Sequence, residues 1–310
     1  MLVWPEETIF PDREDIPKWC HTGSNLCLDF HGDPLTAKLV VFSDGNHHMA
    51  LMETLQCFYK NNPKVKQVFY ATTPPGPVLK LLKRGSLQIG NLILSARPHV
   101  FISPPSVLDN LVNEGYMQKH VPFIQNRGNV LLIKKENPKN ISGIADLART
   151  NVRLFLSNPK TEAMSYKGYV DTIKGLAERE GVDLSFLSDG LSGTKVEYGE
   201  RIHHREAPQA IMDGRADVAI IYYHLALRYT RIFPDLFEII PLGGTTEDPQ
   251  PFPENVISST HAGIIEDGGK WGAQFLSFLS SKPVSEIYSH HGLLHIEEGL
   301  QCHKMRRSRR

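Results

Sequence analysis

The sequence predicts an α/β fold in two blocks, each a largely parallel sheet flanked by helices. Three observations predict it. From Leu39 onward, short apolar runs alternate with segments of helix length, the pattern of βαβ units. The order strand, polar loop, helix that opens this stretch recurs in the second half of the chain. The 310 residues, 41% of them apolar, are enough to build two cores.

Residues 1–36 read as a Pro-rich, irregular extension. Leu39–Phe42 is a buried strand, Ser43-Asp44-Gly45-Asn46-His47-His48-Met49 a polar loop, and Ala50–Lys60 a helix. A strand entering a helix through Ser, Asp, Gly and Asn presents free backbone N–H groups, and helix starts of this kind attract anions. A strand at Lys66–Tyr70, a loop from Ala71 to Gly76 and a helix at Val78–Arg84 follow. Val100–Ile102 is a short strand ending at Ser103, and Val107–Glu114 is a helix with Gly115 as its C-cap. In the second block Asn129–Ile133 is a strand, Lys134–Asn140 a charged turn and Gly143–Arg149 a short helix capped by Ser142. The strand Val152–Leu156 feeds Ser157-Asn158-Pro159-Lys160-Thr161, a loop like the first, and then the long helix Ala163–Gly181. Leu184–Gly199 is polar and Gly-rich, Pro208–Gly214 is a helix and Val218–Tyr222 a strand. Phe233–Leu242 is extended, Gly243–Glu254 is a loop, and Asn255–Ile265 contains a strand. Gly268–Leu279 and Lys282–Ser289 are helices. The chain leaves its first lobe, builds a second and comes back.

Lys plus Arg and Asp plus Glu both total 34, so the net charge is zero, which argues against a nucleic-acid or membrane-surface binder. No run reaches the ~18 apolar residues of a membrane-spanning helix. The start, Met1-Leu2-Val3-Trp4-Pro5, lacks the basic and apolar regions of a signal peptide, so the chain is either intracellular or exported by a signal outside these residues. Residues 301–310 read as a basic, solvated tail. The four cysteines, Cys20, Cys27, Cys57 and Cys302, permit disulfides without demanding an oxidising compartment. Cys20, His21, Cys27 and His31 are zinc-ligand types at a spacing that fits no finger or ribbon; a Cys20–Cys27 disulfide or a plain packed extension are the other readings. No nucleophile-elbow, phosphate-loop or zinc-protease motif occurs, and Ser43 and His47 lie four apart on one turn, so no catalytic residue is expected.

Several stretches together resemble one family. They are Val40–His48, Val100–Ser103 followed by Leu111–Gly115, Pro122–Arg127 with Val130–Lys134, Asn137-Pro138 with Ala145–Ala148, Val152–Pro159, and Gly214–Tyr222. Their order and spacing over about residues 38–290 resemble periplasmic oxyanion-binding proteins of the molybdate/tungstate type, among the two-lobed solute-binding proteins of ABC transporters. The resemblance implies the type II periplasmic-binding-protein fold, with two Rossmann-like lobes joined by crossover strands. Lobe 1 would take residues 37–126 and 260–300 and lobe 2 residues 127–259, with the N-terminal extension outside both. Such lobes close about a hinge on a ligand between them. Members hold a tetrahedral oxyanion through neutral donors, meaning hydroxyls and backbone N–H groups, rather than through a countercharge.

Carried over by position, Ser43 takes the place of the first-loop Ser, and Thr72 or Thr73 that of the second-loop Ser. Ser157 and Asn158 fall in the lobe-two loop, His204 near a position that supplies a backbone N–H, and Tyr222 in place of a hydroxyl-donating Tyr. Asn46 and His47, on the first loop, complete the expected ligand-binding set. Two loops depart from the family, Ser43–His48 and Thr72-Thr73-Pro74-Pro75-Gly76, and Asp44 would repel an oxyanion if it faced the ligand. The expectation is a monomeric, non-catalytic, periplasmic or extracellular protein without cofactor or metal, passing a molybdate-, tungstate- or sulfate-class anion to an ABC-transporter permease. Two alternatives stand beside it. His47-His48, His203-His204 and His224, with Asp44 or Glu206, are the ligand types of a transition-metal or metal-chelate binder. A cytoplasmic ligand sensor of the same fold is the other.

Overall fold

A computed structural model describes residues 29–89, 92–188, 194–200 and 202–296. Cys20, His21, Cys27, Cys302 and the basic tail lie outside these residues. In chain order the first elements are β1 (Asp29–His31), β2 (Leu39–Ser43), α1 (His48–Asn61), β3 (Val68–Thr72), α2 (Pro75–Arg84), β4 (Leu87–Ile89), β5 (Leu92–Leu94), β6 (Val100–Ser103), α3 (Pro105–Asn113) and β7 (Met117–Gln125). Then come β8 (Asn129–Lys134), β9 (Leu154–Leu156), α4 (Ala163–Glu180), β10 (Val196–Tyr198), α5 (His203–Met212), β11 (Val218–Tyr222), α6 (Tyr223–Ile232) and β12 (Phe237–Pro241). The chain ends with β13 (Ser259–Ile265), α7 (Gly269–Leu279), α8 (Lys282–His290) and β14 (Leu294–His295).

These residues form two compact α/β units, divided between Gln125 and Asn126 and again between Ser258 and Ser259. The discontinuous unit, on the outer sides of both divisions, holds a seven-stranded sheet in the order β1-β3-β2-β6-β13-β7-β14. Its central β3, β2 and β6 are parallel. Both faces are covered, so these strands read as unbroken apolar runs rather than alternating ones. Leu39, Val41, Val100 and Ile102 pack with Phe58, Phe275 and Tyr288 on one face. Val40, Phe42, Phe69 and Phe101 pack with Leu81, Leu108 and Leu111 on the other. The continuous unit, residues 126–258, holds a five-stranded sheet in the order β10-β9-β11-β8-β12, with β10, β9 and β11 parallel. No helix among the described residues is long and apolar enough to cross a membrane.

Several elements differ from the sequence expectation, each for an identifiable reason. The polar loop after β2 is mostly helical: Asp44 caps a 3-10 turn at Gly45–His47 by accepting the Asn46 N–H at 3.2 Å, and α1 continues from His48. Helices α2 and α3 begin at prolines, before the expected Val78 and Val107, because a first helical residue needs no N–H partner. Helix α5 begins at His203 and carries Pro208 inside it, where the helix was expected to start. Pro208 cannot donate to the His204 carbonyl four residues back. The Tyr229 hydroxyl donates to that carbonyl instead. Strand β7 was not anticipated; its Pro122 lies opposite His261, where the β7–β13 register slips between Thr260 and His261. Helix α6 and the short strands β4, β5 and β10 were also unanticipated.

The lead-in is not wholly irregular, since β1 pairs antiparallel with β3 at the edge of the sheet. Gly32 makes that approach feasible: it has φ +89°, and a Cβ there would sit 2.1 Å from the Val68 carbonyl oxygen. His31 stacks on Tyr70 with ring centroids 4.4 Å apart.

Candidate functional site

In an open α/β sheet, ligands bind outside the carboxyl ends of the strands, at the point where successive connections leave in opposite directions. Each unit has one such point. In the seven-stranded sheet β2 lies between β3 on one flank and β6 on the other. Ser43 ends β2 and Ser103 ends β6; Ser43 pairs with Ile102, so Ser103 lies one step beyond it. Thr72, the last residue of β3, pairs with Ser43 on the other side. In the five-stranded sheet β9 lies between β10 and β11. Ser157 follows β9 directly and Tyr222 ends β11. The β9–β11 ladder runs through Phe155 and Ala219, before either of those residues.

Ser43 is fully buried, and its hydroxyl lies 2.8 Å from His47 Nε2. The other ring nitrogen of His47, Nδ1, lies 2.8 Å from the Tyr288 hydroxyl. Burial holds His47 neutral, with its pKa lowered to about 3. Asp44 is 3.6 Å from His47 Nε2, and burial raises its carboxyl pKa to about 6 against the Asn46 N–H bond, which lowers it. Thr72 and Thr73 are buried; the Thr73 N–H donates to the Ser43 carbonyl at 2.9 Å and its hydroxyl to the Pro74 carbonyl at 3.2 Å. Asn46 is half-buried in the first turn after β2. The loop is thus a tightly packed turn, with His47 inside the fold rather than on its surface.

In the continuous unit the Ser157 hydroxyl is fully buried and has no hydrogen-bond partner among the described residues. Asn158 ties the loop down, donating to the Gly199 carbonyl at 3.2 Å and accepting the Lys160 N–H at 2.9 Å. Tyr222 is half-buried, its ring tilted against Tyr169 and stacked on His224. His204 lies in the first turn of α5. Carboxylates already sit at that helix start. Glu162 accepts the His203 N–H at 2.8 Å, and Glu206 accepts the N–H groups of Glu200 and Ile202 at 2.8 Å each. Burial, with the neighbouring Glu206 charge, raises the Glu162 pKa to about 7, against the His203 N–H bond that lowers it. His203 is stacked on Phe155, and burial lowers its pKa to about 3.

The structure therefore brings Ser43 together with Thr72, Thr73, Asn46 and His47, and Ser157 with Asn158, His204 and Tyr222, each group within one unit. Sequence reasoning passed over Ser103, whose buried hydroxyl also lacks a partner among the described residues. The signal was present: Ser103-Pro104-Pro105 repeats the hydroxyl-Pro-Pro start of Thr73-Pro74-Pro75 at the entry to a helix. Among the described residues no group of His, Cys, Asp and Glu is placed to hold a metal ion. The chemistry on offer is neutral hydrogen bonding at strand ends, with neutral imidazoles and carboxylates pushed toward neutrality.

The two α/β units have the fold of the type II periplasmic-binding class. More particularly, the chain belongs to the bacterial extracellular solute-binding protein family, whose pattern it matches over residues 39–294. No curated protein sequence matches it. Solved structures share the fold at low identity. The periplasmic molybdate-binding protein of Azotobacter vinelandii is 14% identical with a TM-score of 0.55, over 84% of this chain and 99% of that one. The sulfate-binding protein SubI of Mycobacterium tuberculosis is 14% identical with a TM-score of 0.58, over 86% and 89%. Iron-bound HitA of Pseudomonas aeruginosa is 14% identical with a TM-score of 0.57, over 84% and 87%.

Proposed function

We propose that this solute-binding protein captures a small, fully ionised oxyanion of the molybdate, tungstate or sulfate class and delivers it to an ABC-transporter permease. It acts as a monomer outside the cytoplasm, without nucleic acid, and its candidate ligand-binding residues are Ser43, Asn46, His47, Thr72 and Thr73 in one unit and Ser157, Asn158, His204 and Tyr222 in the other. The observation that carries the reading is the fully buried hydroxyl of Ser157, without a hydrogen-bond partner among the described residues, at a sheet's switch point. A buried hydroxyl without a partner costs about 1–3 kcal/mol, and a ligand oxygen that accepts from it recovers that cost. Similarity of fold to molybdate- and sulfate-binding proteins supports the same ligand class.

The test is a thermal-shift series with molybdate, tungstate, sulfate and phosphate against Zn²⁺, Ni²⁺ and Fe³⁺. A ligand that binds only the folded state raises Tm by mass action, by an amount that grows with its concentration. A rise with the anions supports the reading. A rise with the metals alone overturns it in favour of metal capture.

A further inference from the structure

The proton on one buried ring decides what Ser43 can offer a ligand. The Tyr288 hydroxyl is fully buried, and His47 Nδ1 is its hydrogen-bond partner at 2.8 Å. A phenol has one proton to donate, and burying it without an acceptor is costly. Tyr288 therefore donates to Nδ1, which must be the unprotonated nitrogen. The ring stays neutral, because burial keeps its pKa near 3. Its single proton is left on Nε2, which lies 2.8 Å from Ser43 Oγ. The Asp44 carboxyl oxygen 3.6 Å from Nε2 favours the same placement, since a carboxylate attracts an N–H and repels a lone pair. In the opposite tautomer, Ser43 would spend its own proton on Nε2 and the Tyr288 proton would have no acceptor among the described residues. The assigned tautomer also disqualifies His47 as a base toward Ser43, because the nitrogen facing the hydroxyl already carries a proton.

We propose that His47 is a positioning residue: by donating to Ser43 Oγ it frees the Ser43 hydroxyl proton and commits it as a donor to the bound oxyanion. Tyr288, on α8 and far from Ser43 in sequence, sets that tautomer. This rests on the oxyanion reading above. A preorganised donor loses no ligand-directed proton to an internal partner, so the device strengthens binding without placing a positive charge at the site.

Nitrogen-15 NMR of the imidazole rings in the wild-type protein reads the tautomer directly. The expected result is a His47 ring protonated at Nε2 alone and unchanged between pH 5 and pH 8. Affinity for molybdate and sulfate is then measured by calorimetry for wild type, Tyr288→Phe, Ser43→Ala and the double variant. Tyr288→Phe releases the tautomer and weakens binding roughly tenfold. In the Ser43→Ala background the same substitution has no further effect, because Tyr288 acts through Ser43. A His47 ring protonated at Nδ1 in a wild type that binds anions overturns the proposal alone. So do independent, multiplying losses from the two substitutions, which a merely structural Tyr288 would give. A wild type with no affinity for molybdate, tungstate, sulfate or phosphate overturns the oxyanion reading and takes this ligand role with it, whichever tautomer is seen.

Discussion

Glu162→Gln should make the protein more stable above neutral pH. In the folded chain the Glu162 pKa rises from 4.5 to about 7, because burial and the Glu206 charge disfavour its ionised form. A carboxyl whose folded pKa is raised binds more protons in the folded state than in the unfolded one between those two values. Its ionisation therefore costs stability, and the cost grows as pH rises through about 4.5 to 7. At 1.36 kcal/mol per pKa unit the full cost above pH 7 is about 3 kcal/mol. Glutamine keeps a carbonyl oxygen to accept the His203 N–H and removes the charge. It also forfeits the attraction of a carboxylate for a helix start, roughly 0.3–1 kcal/mol. The expected net gain is about 2 kcal/mol at pH 8, shrinking through the window and vanishing below about pH 4.5. Urea unfolding of wild type and variant at intervals from pH 4 to pH 8 measures it. A variant less stable than wild type at pH 8, or a difference that ignores pH, refutes the reasoning.

Four further substitutions test other parts of the structure. Ser157→Ala and Ser103→Ala should each stabilise the ligand-free protein by about 1 kcal/mol, because each removes a buried hydroxyl without a partner among the described residues, while Ser157→Ala also weakens anion binding; denaturant midpoints and calorimetry check both, and a loss of stability would place an internal partner on these hydroxyls. Tyr229→Phe should cost about 1 kcal/mol, read as a fall in Tm, since it removes the hydrogen bond from the Tyr229 hydroxyl to the His204 carbonyl. Gly32→Ala should detach β1 from β3, seen as faster amide exchange at Asp29–His31 and Tyr70–Thr72, because the added Cβ would sit 2.1 Å from the Val68 carbonyl oxygen.

The alternation of apolar runs with helices was legible because strands covered on both faces carry little else. Leu39–Phe42, Asn129–Ile133 and Val218–Ile221 announce themselves by composition. Elements held by distant partners were not legible. Strand β7 has the uneven pattern Met117-Gln118-Lys119-His120-Val121-Pro122, and its ladders with β13 and β14 make it a strand. The start of α5 was hidden by Pro208, whose compensating donor is Tyr229 on another helix. At the site, Ser43, Ser157 and Tyr222 were singled out by the resemblance of their stretches to the oxyanion-binding family. His47 was visible as a residue type on a polar loop, but its partner Tyr288 lies 241 positions away. Ser103 was passed over because its strand is short, although strand order gives it the same standing as Ser43.

The two carboxyls beside the strand-end loops bear on how a chain of zero net charge could hold a dianion. Asp44 follows Ser43 directly, and Glu162 closes the loop that starts at Ser157. Ionised, each would repel the ligand proposed here. Burial already lifts them to about 6 and about 7, so protonating either near neutral pH costs little. A dianion bound beside either carboxyl adds negative charge and lifts that carboxyl further. The groups around them offset this weakly: His47 and His203 are neutral, and Glu206 adds repulsion at Glu162. Binding must therefore take up protons, and by linkage the affinity must fall as pH rises through about 6 to 8. Calorimetry of molybdate binding at pH 6.5 in buffers of different ionisation enthalpy measures the uptake. A positive fraction of a proton per site, reduced in Asp44→Asn and in Glu162→Gln, is the expected outcome. Proton release, or a binding heat independent of the buffer, would mean that the ligand lies far from both carboxyls and that the strand-end loops are not where it sits.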